Sequence, residues 1–168
     1  MGPSTMPDII LATCRGHPNI QADHDTTLEL EEAPILTIRG DCVVCVECRN
    51  TRPLRETAAK KALAKLVIAA MNPFIKPYIA YTVIDGFLPG ESPRRLVVRK
   101  SNYRDDSLMI CSSLSASELP ADVKKLLRSS YTRCYVLLVS STLGTDIDTV
   151  YELAGCVVKD TGDTNNPG

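Results

Sequence analysis

Tryptophan is absent and only two phenylalanines occur, so a core must be assembled mainly from Val, Ile, Leu and Ala. A basic excess is also missing: the net charge is −1 and the pI about 6.1. Nothing at whole-chain level therefore predicts a nucleic-acid or acidic-membrane partner. No apolar run is long enough for a membrane span. The stretch 63–71 is interrupted by Lys65 and falls far short of the roughly 20 residues needed to cross a bilayer. The start, MGPSTMPDIILATCRGHP, lacks the charged, apolar and cleavable parts of a signal peptide. A cytoplasmic protein with no membrane partner is expected, its seven cysteines kept as reduced thiols. A glycine-rich phosphate loop, G-x-S-x-G, H-E-x-x-H and a dinucleotide fingerprint are all missing, which argues against several large enzyme classes.

What is present suits one domain. A chain of this size, 168 residues, buries about 68–70% of its unfolded surface without needing a disulfide or a metal. The expected organisation is a single α+β domain over 7–143, an extension over 144–159 and a loose tail over 160–168. Residues 7–14 read as a strand, closed by the turn residues Gly16, Pro18 and Asn19. Alternation over 26–31 predicts a half-buried strand. Residues 35–39 are extended, Gly40-Asp41 is a turn or bulge, and CVVCVEC (42–48) has the β-branched content of a buried strand.

A long helix is expected next, from a cap at Thr51 with Pro53 in its first turn to Asn72-Pro73. Leu54, Ala58, Ala62, Leu63, Leu66, Val67 and Ala70 recur at helical spacing. Strands follow at 78–87, 96–101 and 107–112. A second helix runs from about Ser117 to Ser129, capped by Ser115 or Ser117. A buried strand over 134–140 closes the domain, and a short strand near 156–158 is a further candidate. The fold class is α+β: a mostly antiparallel sheet or partly closed barrel with two helices. Two related ββ(β)α halves are suggested by matching Ile38-Arg39, 43–47 and Lys60–Leu63 with Val98-Arg99, 108–112 and Lys124–Leu127.

Chemistry concentrates near the N-terminus. The only histidines, His17 and His24, flank a turn in RGHPNIQADHDTTLEL, where imidazoles could serve as acid and base or simply bond within their loop. Arg39-Gly40-Asp41-Cys42 offers a carboxylate to orient an imidazole, beside an ordinary turn reading. Cys42, Cys45 and Cys48 form C-x-x-C-x-x-C. A spacing of three in a strand sends successive thiols to opposite faces, so the expectation is small core hydrophobes and no metal. The segment Arg94, Arg95, Arg99, Lys100, Arg104 could hold phosphate or blunt a sheet edge. It lacks the interleaved aromatics of a single-strand platform apart from Tyr103.

The motif R-G-H-P-N-I-x-A-x-H-x-T-T-L-E, followed by L-T-x-R-G-D-C and later V-V-R-K-S, resembles an uncharacterised archaeal family known as domain of unknown function three-seven-one. The likeness runs from about Ile10 to Val139. It implies that His17, Asn19, His24, Thr26, Thr27, Glu29, Arg39, Gly40, Asp41 and Cys42 belong to a family signature, and that the protein is archaeal and cytoplasmic. Where relatives resemble D-C-I-I-G, this chain has Cys45.

Two function classes follow. One is an enzyme or binder of a small polar or anionic metabolite, with His17, His24 and Asp41 as the chemical group. Asn19, Thr26, Thr27, Glu29, Arg39, Cys42, Arg99 and Lys100 would contribute to binding. The other is a non-catalytic RNA- or phosphate-binding module working through the 94–104 basic segment. A third, a subunit of a larger assembly, would show an exposed apolar patch. Cofactor, metal dependence and oligomeric state are left undetermined by sequence.

Overall fold

The computed structural model describes residues 8–37 and 39–141. Along them run β1 (Asp8–Arg15), β2 (Thr27–Leu30), β3 (Val43–Arg49), α1 (Thr51–Ala58), β4 (Leu63–Met71), β5 (Ile79–Phe87), β6 (Leu96–Arg99), β7 (Ser107–Met109), α2 (Ala121–Leu127) and β8 (Arg133–Ser141). The extension over 144–159, its candidate strand and the tail over 160–168 lie outside the described residues.

The strands form one sheet in the order β5-β4-β8-β1-β3-β2-β6-β7. Neighbours are antiparallel except β2–β3 and β6–β7. The fold is therefore α+β with a mostly antiparallel sheet. Among the described residues no ladder closes it, and an isolated antiparallel bridge between Phe87 and Ile110 joins the ends of its two outermost strands. Helix α1 packs against β1 and β7, and α2 against β3, β4 and β5. The core they cover includes Leu28, Leu54, Leu66, Ile68, Ile84 and Leu108, all fully buried.

The long helix is corrected by β4. Only residues 51–58 are helical, and 63–71 is a strand hydrogen-bonded along its whole length to β5 and β8. The segment LAKLVIAAM satisfies both periods, because Ala64, Leu66, Ile68 and Ala70 alternate inward while Lys65 points out. Two strand edges in need of partners decide between periods that local sequence leaves tied. Residues 35–39 form no described strand, and Asn50, not Thr51, caps α1. Pro120 starts α2, while Ser115 caps a separate 3-10 turn through Glu118. β2 is buried on both faces rather than half-buried.

One pattern of strand pairing and backbone bonding occurs twice. β2 lies parallel to β3 with Glu29 opposite Val43 and Leu30 opposite Cys45. β6 lies parallel to β7 with Val97 opposite Ser107 and Val98 opposite Met109, carrying the same one-residue offset. The Cys48 N–H donates to the Glu31 carbonyl as that of Ser112 does to Arg99, and Glu47 to Ala33 as Cys111 to Ser101. Glu47 and Cys111 share a left-handed backbone, with φ of 53° and 54°. This places 43–47 opposite 107–111, one residue from the sequence match. It pairs Leu30-Glu31, not Ile38-Arg39, with Val98-Arg99. Lys60–Leu63 is not helical and so has no counterpart in α2.

Candidate functional site

The two signature segments lie side by side. β1 ends at Arg15, and the chain turns immediately under the end of α2: the Gly16 N–H donates to the Thr132 carbonyl and the His17 N–H to that of Leu127. Only glycine fits there. A Cβ on Gly16 would sit 2.5 Å from the Leu127 oxygen and closer still to that of Ser129. Beyond the turn, the Gly40 N–H donates to the Asn19 carbonyl at 3.0 Å, and the Gln21 N–H returns to Gly40 at 3.0 Å. The N–H groups of Asp23 and His24 both donate to the Asp41 carbonyl, at 3.0 and 3.1 Å. The Asn19 side-chain amide donates to the Leu36 carbonyl at 2.6 Å. Residues seventeen or more apart in the chain thus share one surface.

The imidazoles are each held locally. His17 Nδ1 accepts from the Asn19 N–H at 3.0 Å. A neutral ring accepting there carries its proton on Nε2, which leaves the 3.4 Å approach of the Leu36 N–H to Nε2 as a contact only. His24 Nδ1 faces three donors: the Thr27 hydroxyl at 2.9 Å and the N–H groups of Thr27 and Thr26 at 3.2 and 3.3 Å. Among the described residues, no hydrogen bond links His17 to His24 or either ring to the Asp41 carboxylate. Asp41 and Arg39 are exposed.

A second polar group is built on Glu29 of β2. Glu29, with its side chain only 8% exposed, accepts twice from Arg95, at 2.7 Å from Nη2 and 3.1 Å from Nε. The Cys42 thiol points at the same carboxylate from 3.6 Å. Burial first, and the Glu29 charge second, push that thiol up to about 11. Arg99, opposite Thr27 in the register, donates to the Ser107 hydroxyl at 2.9 Å and stacks on Tyr103 at 5.0 Å. Sequence reasoning placed Glu29 in the site but missed Arg95 as its partner. The pairing crosses from β2 to the residue just before β6, so no local signal carries it.

The cations of the basic segment have partners outside it. Arg95 pairs with Glu29, Lys100 with Glu118 at 2.7 Å and Arg94 with Asp106 at 3.7 Å. Arg104 donates to the Pro89 carbonyl. Three of these five cations sit against carboxylates.

The cysteines depart from alternation. Between Val46 and Arg49, β3 carries one more residue than β1 opposite it, since Arg15 pairs with Val46 and Thr13 with Arg49. This bulge, with Glu47 left-handed, inverts the phase of the strand. Cys45 and Cys48 consequently meet the Cys14 thiol, all three sulfurs lying within 4.8 Å of one another. Cys42 goes elsewhere, to Glu29. The premise that a spacing of three separates the thiols therefore fails for Cys45 and Cys48. Cys111 is disulfide-bonded, against the expectation of reduced thiols throughout.

Comparison with known proteins matches residues 12–141 to a family model described as Domain of unknown function (DUF371). A relative from Methanocaldococcus jannaschii, described as an uncharacterized protein, is 29% identical over 131 residues, covering 74% of this chain and 95% of its own length. Among the described residues no helix is long and apolar enough to cross a membrane.

Proposed function

The chain belongs to the DUF371 family, and from that premise we propose that it binds a small polar metabolite bearing an anionic group, on the surface made by its two signature segments. The observation that carries this reading is the way His24 is held. Three donors on Nδ1 fix the proton on Nε2, and among the described residues Nε2 makes no hydrogen bond. A ring oriented in this way offers a fixed N–H donor on the loop whose backbone bonds to Asp41, at little entropic cost to a ligand. Arg39 supplies charge for the anionic group, and Asp41 accepts from ligand hydroxyls or amines. The role is binding. Shared acid–base work by His17 and His24 would need both rings to reach one proton, and each ring is bound to its own turn.

The test uses the substitution His24→Asn. Asn caps such turns through its own side-chain oxygen, so the loop is kept while the Nε2 donor is lost. A panel of anionic metabolites is screened by ligand-observed NMR on the full chain, and the hits are titrated. Binding should weaken about tenfold or more in His24→Asn, the value of a charge-assisted hydrogen bond, with an unchanged melting temperature. Equal affinity for wild type and variant would exclude His24 as the donor.

A second reading, a subunit of an assembly, is supported by the outer face of β5-β4-β8-β1. Leu11, Leu137, Val67 and Val83 form one cross-strand row there, with Ile9, Ile79 and Tyr81 exposed around it. Sedimentation of the purified chain as a monomer at all concentrations would remove self-assembly from that reading.

A further inference from the structure

Four cysteines converge where β3 and β8 flank β1. Cys14 and Cys134 stand opposite each other on β1 and β8, and the bulge in β3 brings Cys45 and Cys48 to the same place. The Cys45 and Cys48 sulfurs are 3.5 Å apart, and those of Cys14 and Cys48 are 2.7 Å apart. The Cys134 thiol interacts with both Cys14 and Cys45. All four residues are buried.

The fold does not require thiols at this place, because the second half fills the same positions without them. The repeated pairings set Gly86 opposite Ala64 where the first half has Cys14 opposite Cys134. Met109 and Ser112 stand for Cys45 and Cys48. There the Met109 methyl fills the space over Gly86, 2.7 Å from where a Cβ would be. One architectural position thus holds an apolar plug in one half and four sulfurs in the other.

No basic side chain is bonded to the four thiols among the described residues. Arg15, Arg49 and Arg133 line a neighbouring groove of about 510 Å³ whose wall includes Cys14 and Cys134. Arg15 and Arg49 are themselves tied to Glu47.

We propose that Cys14, Cys45 and Cys48, whose sulfurs lie within 4.8 Å of one another, form a buried site for a single thiophilic metal ion, with zinc the best match and Cys134, which must move closer to complete the set, as its fourth ligand. Zinc–sulfur bonds of about 2.3 Å set ligand sulfurs about 3.8 Å apart in a tetrahedron, and at most about 4.6 Å apart around any one ion. The Cys45–Cys48 separation is near that edge, and Cys14 and Cys48 must spread by about 1 Å to admit the ion. The sulfurs are too close together for a multi-iron cluster, whose ligands are spread over several metal atoms. Binding involves no redox step: each thiol that ligates releases one proton to water as its bond to the ion forms.

The full chain is purified under reduction without chelator, then analysed for metal and titrated with cobalt(II) as a spectroscopic probe. One ion per chain, with intense ligand-field bands and a sulfur-to-cobalt charge-transfer band, is expected. Zinc should displace the cobalt and raise the melting temperature by roughly 5–10 °C at a hundredfold excess over Kd. Cys48→Ser should abolish the charge-transfer band at equal stoichiometry of addition, and Cys42→Ser should leave it unchanged. If Cys48→Ser fails to fold, the zinc-dependent melting shift of the wild type and its reversal by chelator still decide the matter. Two results overturn the site: no cobalt spectrum and no melting shift, or a mass and peptide map showing a Cys14–Cys48 disulfide with no metal bound. Neither result bears on the ligand surface at His24.

Discussion

Substituting Arg95 by Met separates two effects that the Glu29–Arg95 pair combines. Glu29 is 8% exposed at its side chain and Arg95 62%, so removing the guanidinium strands a buried carboxylate whose only other neighbour of note is the Cys42 thiol. Breaking a fully buried pair from one side costs 3–5 kcal/mol, while exposed pairs contribute about 0–1 kcal/mol. Arg95 reaches the carboxylate from the solvent side and water can replace it in part, which brings Arg95→Met to about 2 kcal/mol. Glu29→Gln removes the charge but keeps an acceptor for Arg95, and should cost about 1 kcal/mol. The double variant should resemble Glu29→Gln, because no buried charge remains to be stranded. Urea unfolding of the four proteins at neutral pH gives the cycle. An Arg95→Met variant within 0.5 kcal/mol of wild type, or less damaging than Glu29→Gln, would refute the premise that this guanidinium is the partner the buried carboxylate depends on.

Two further outcomes are expected. Gly16→Ala should lose about 3 kcal/mol, since the added methyl meets two backbone carbonyls that no rotamer change can relieve; thermal unfolding should show a drop of roughly 6–12 °C, and a smaller loss than that of Gly86→Ala, whose Cβ would meet the mobile end of Met109 first, would contradict the geometry. Cys42, raised to about 11 chiefly by burial and next by Glu29, favours its protonated form in the folded state, so its contribution to stability is complete below the ordinary thiol range and is lost as pH rises through about 11. Glu29→Gln lowers that value, and peptide-mapped alkylation of Cys42 at alkaline pH should become faster; an unchanged rate would remove the carboxylate as a cause.

Much of the strand pattern was legible because alternation and turn residues agreed, as in β1, β5 and β8. β4 was not legible. Leu63, Leu66, Val67 and Ala70 fit a helical stripe as well as Ala64, Leu66, Ile68 and Ala70 fit a strand, and no glycine or proline separates 58 from 63 to mark the end of α1. Only the open edges of β5 and β8 decide. The expected meeting of His17, His24 and Asp41 rested on chain order alone, and the bonding of each ring within its own turn depends on N–H groups that carry no side-chain signal. The thiol cluster was misread for a similar reason. Glu47 adopts a left-handed backbone that its residue type does not advertise, and one extra residue on β3 is enough to turn separated cysteines into neighbours.

The place of β8 has a consequence for how the chain reaches its native state. It pairs along its length with both β1 and β4, so a nascent chain that has not yet made residues 133–141 leaves two long edges bare at once. Completion of the described sheet must wait for β8 to slide between β4 and β1, which makes folding depend on contacts between distant parts of the sequence.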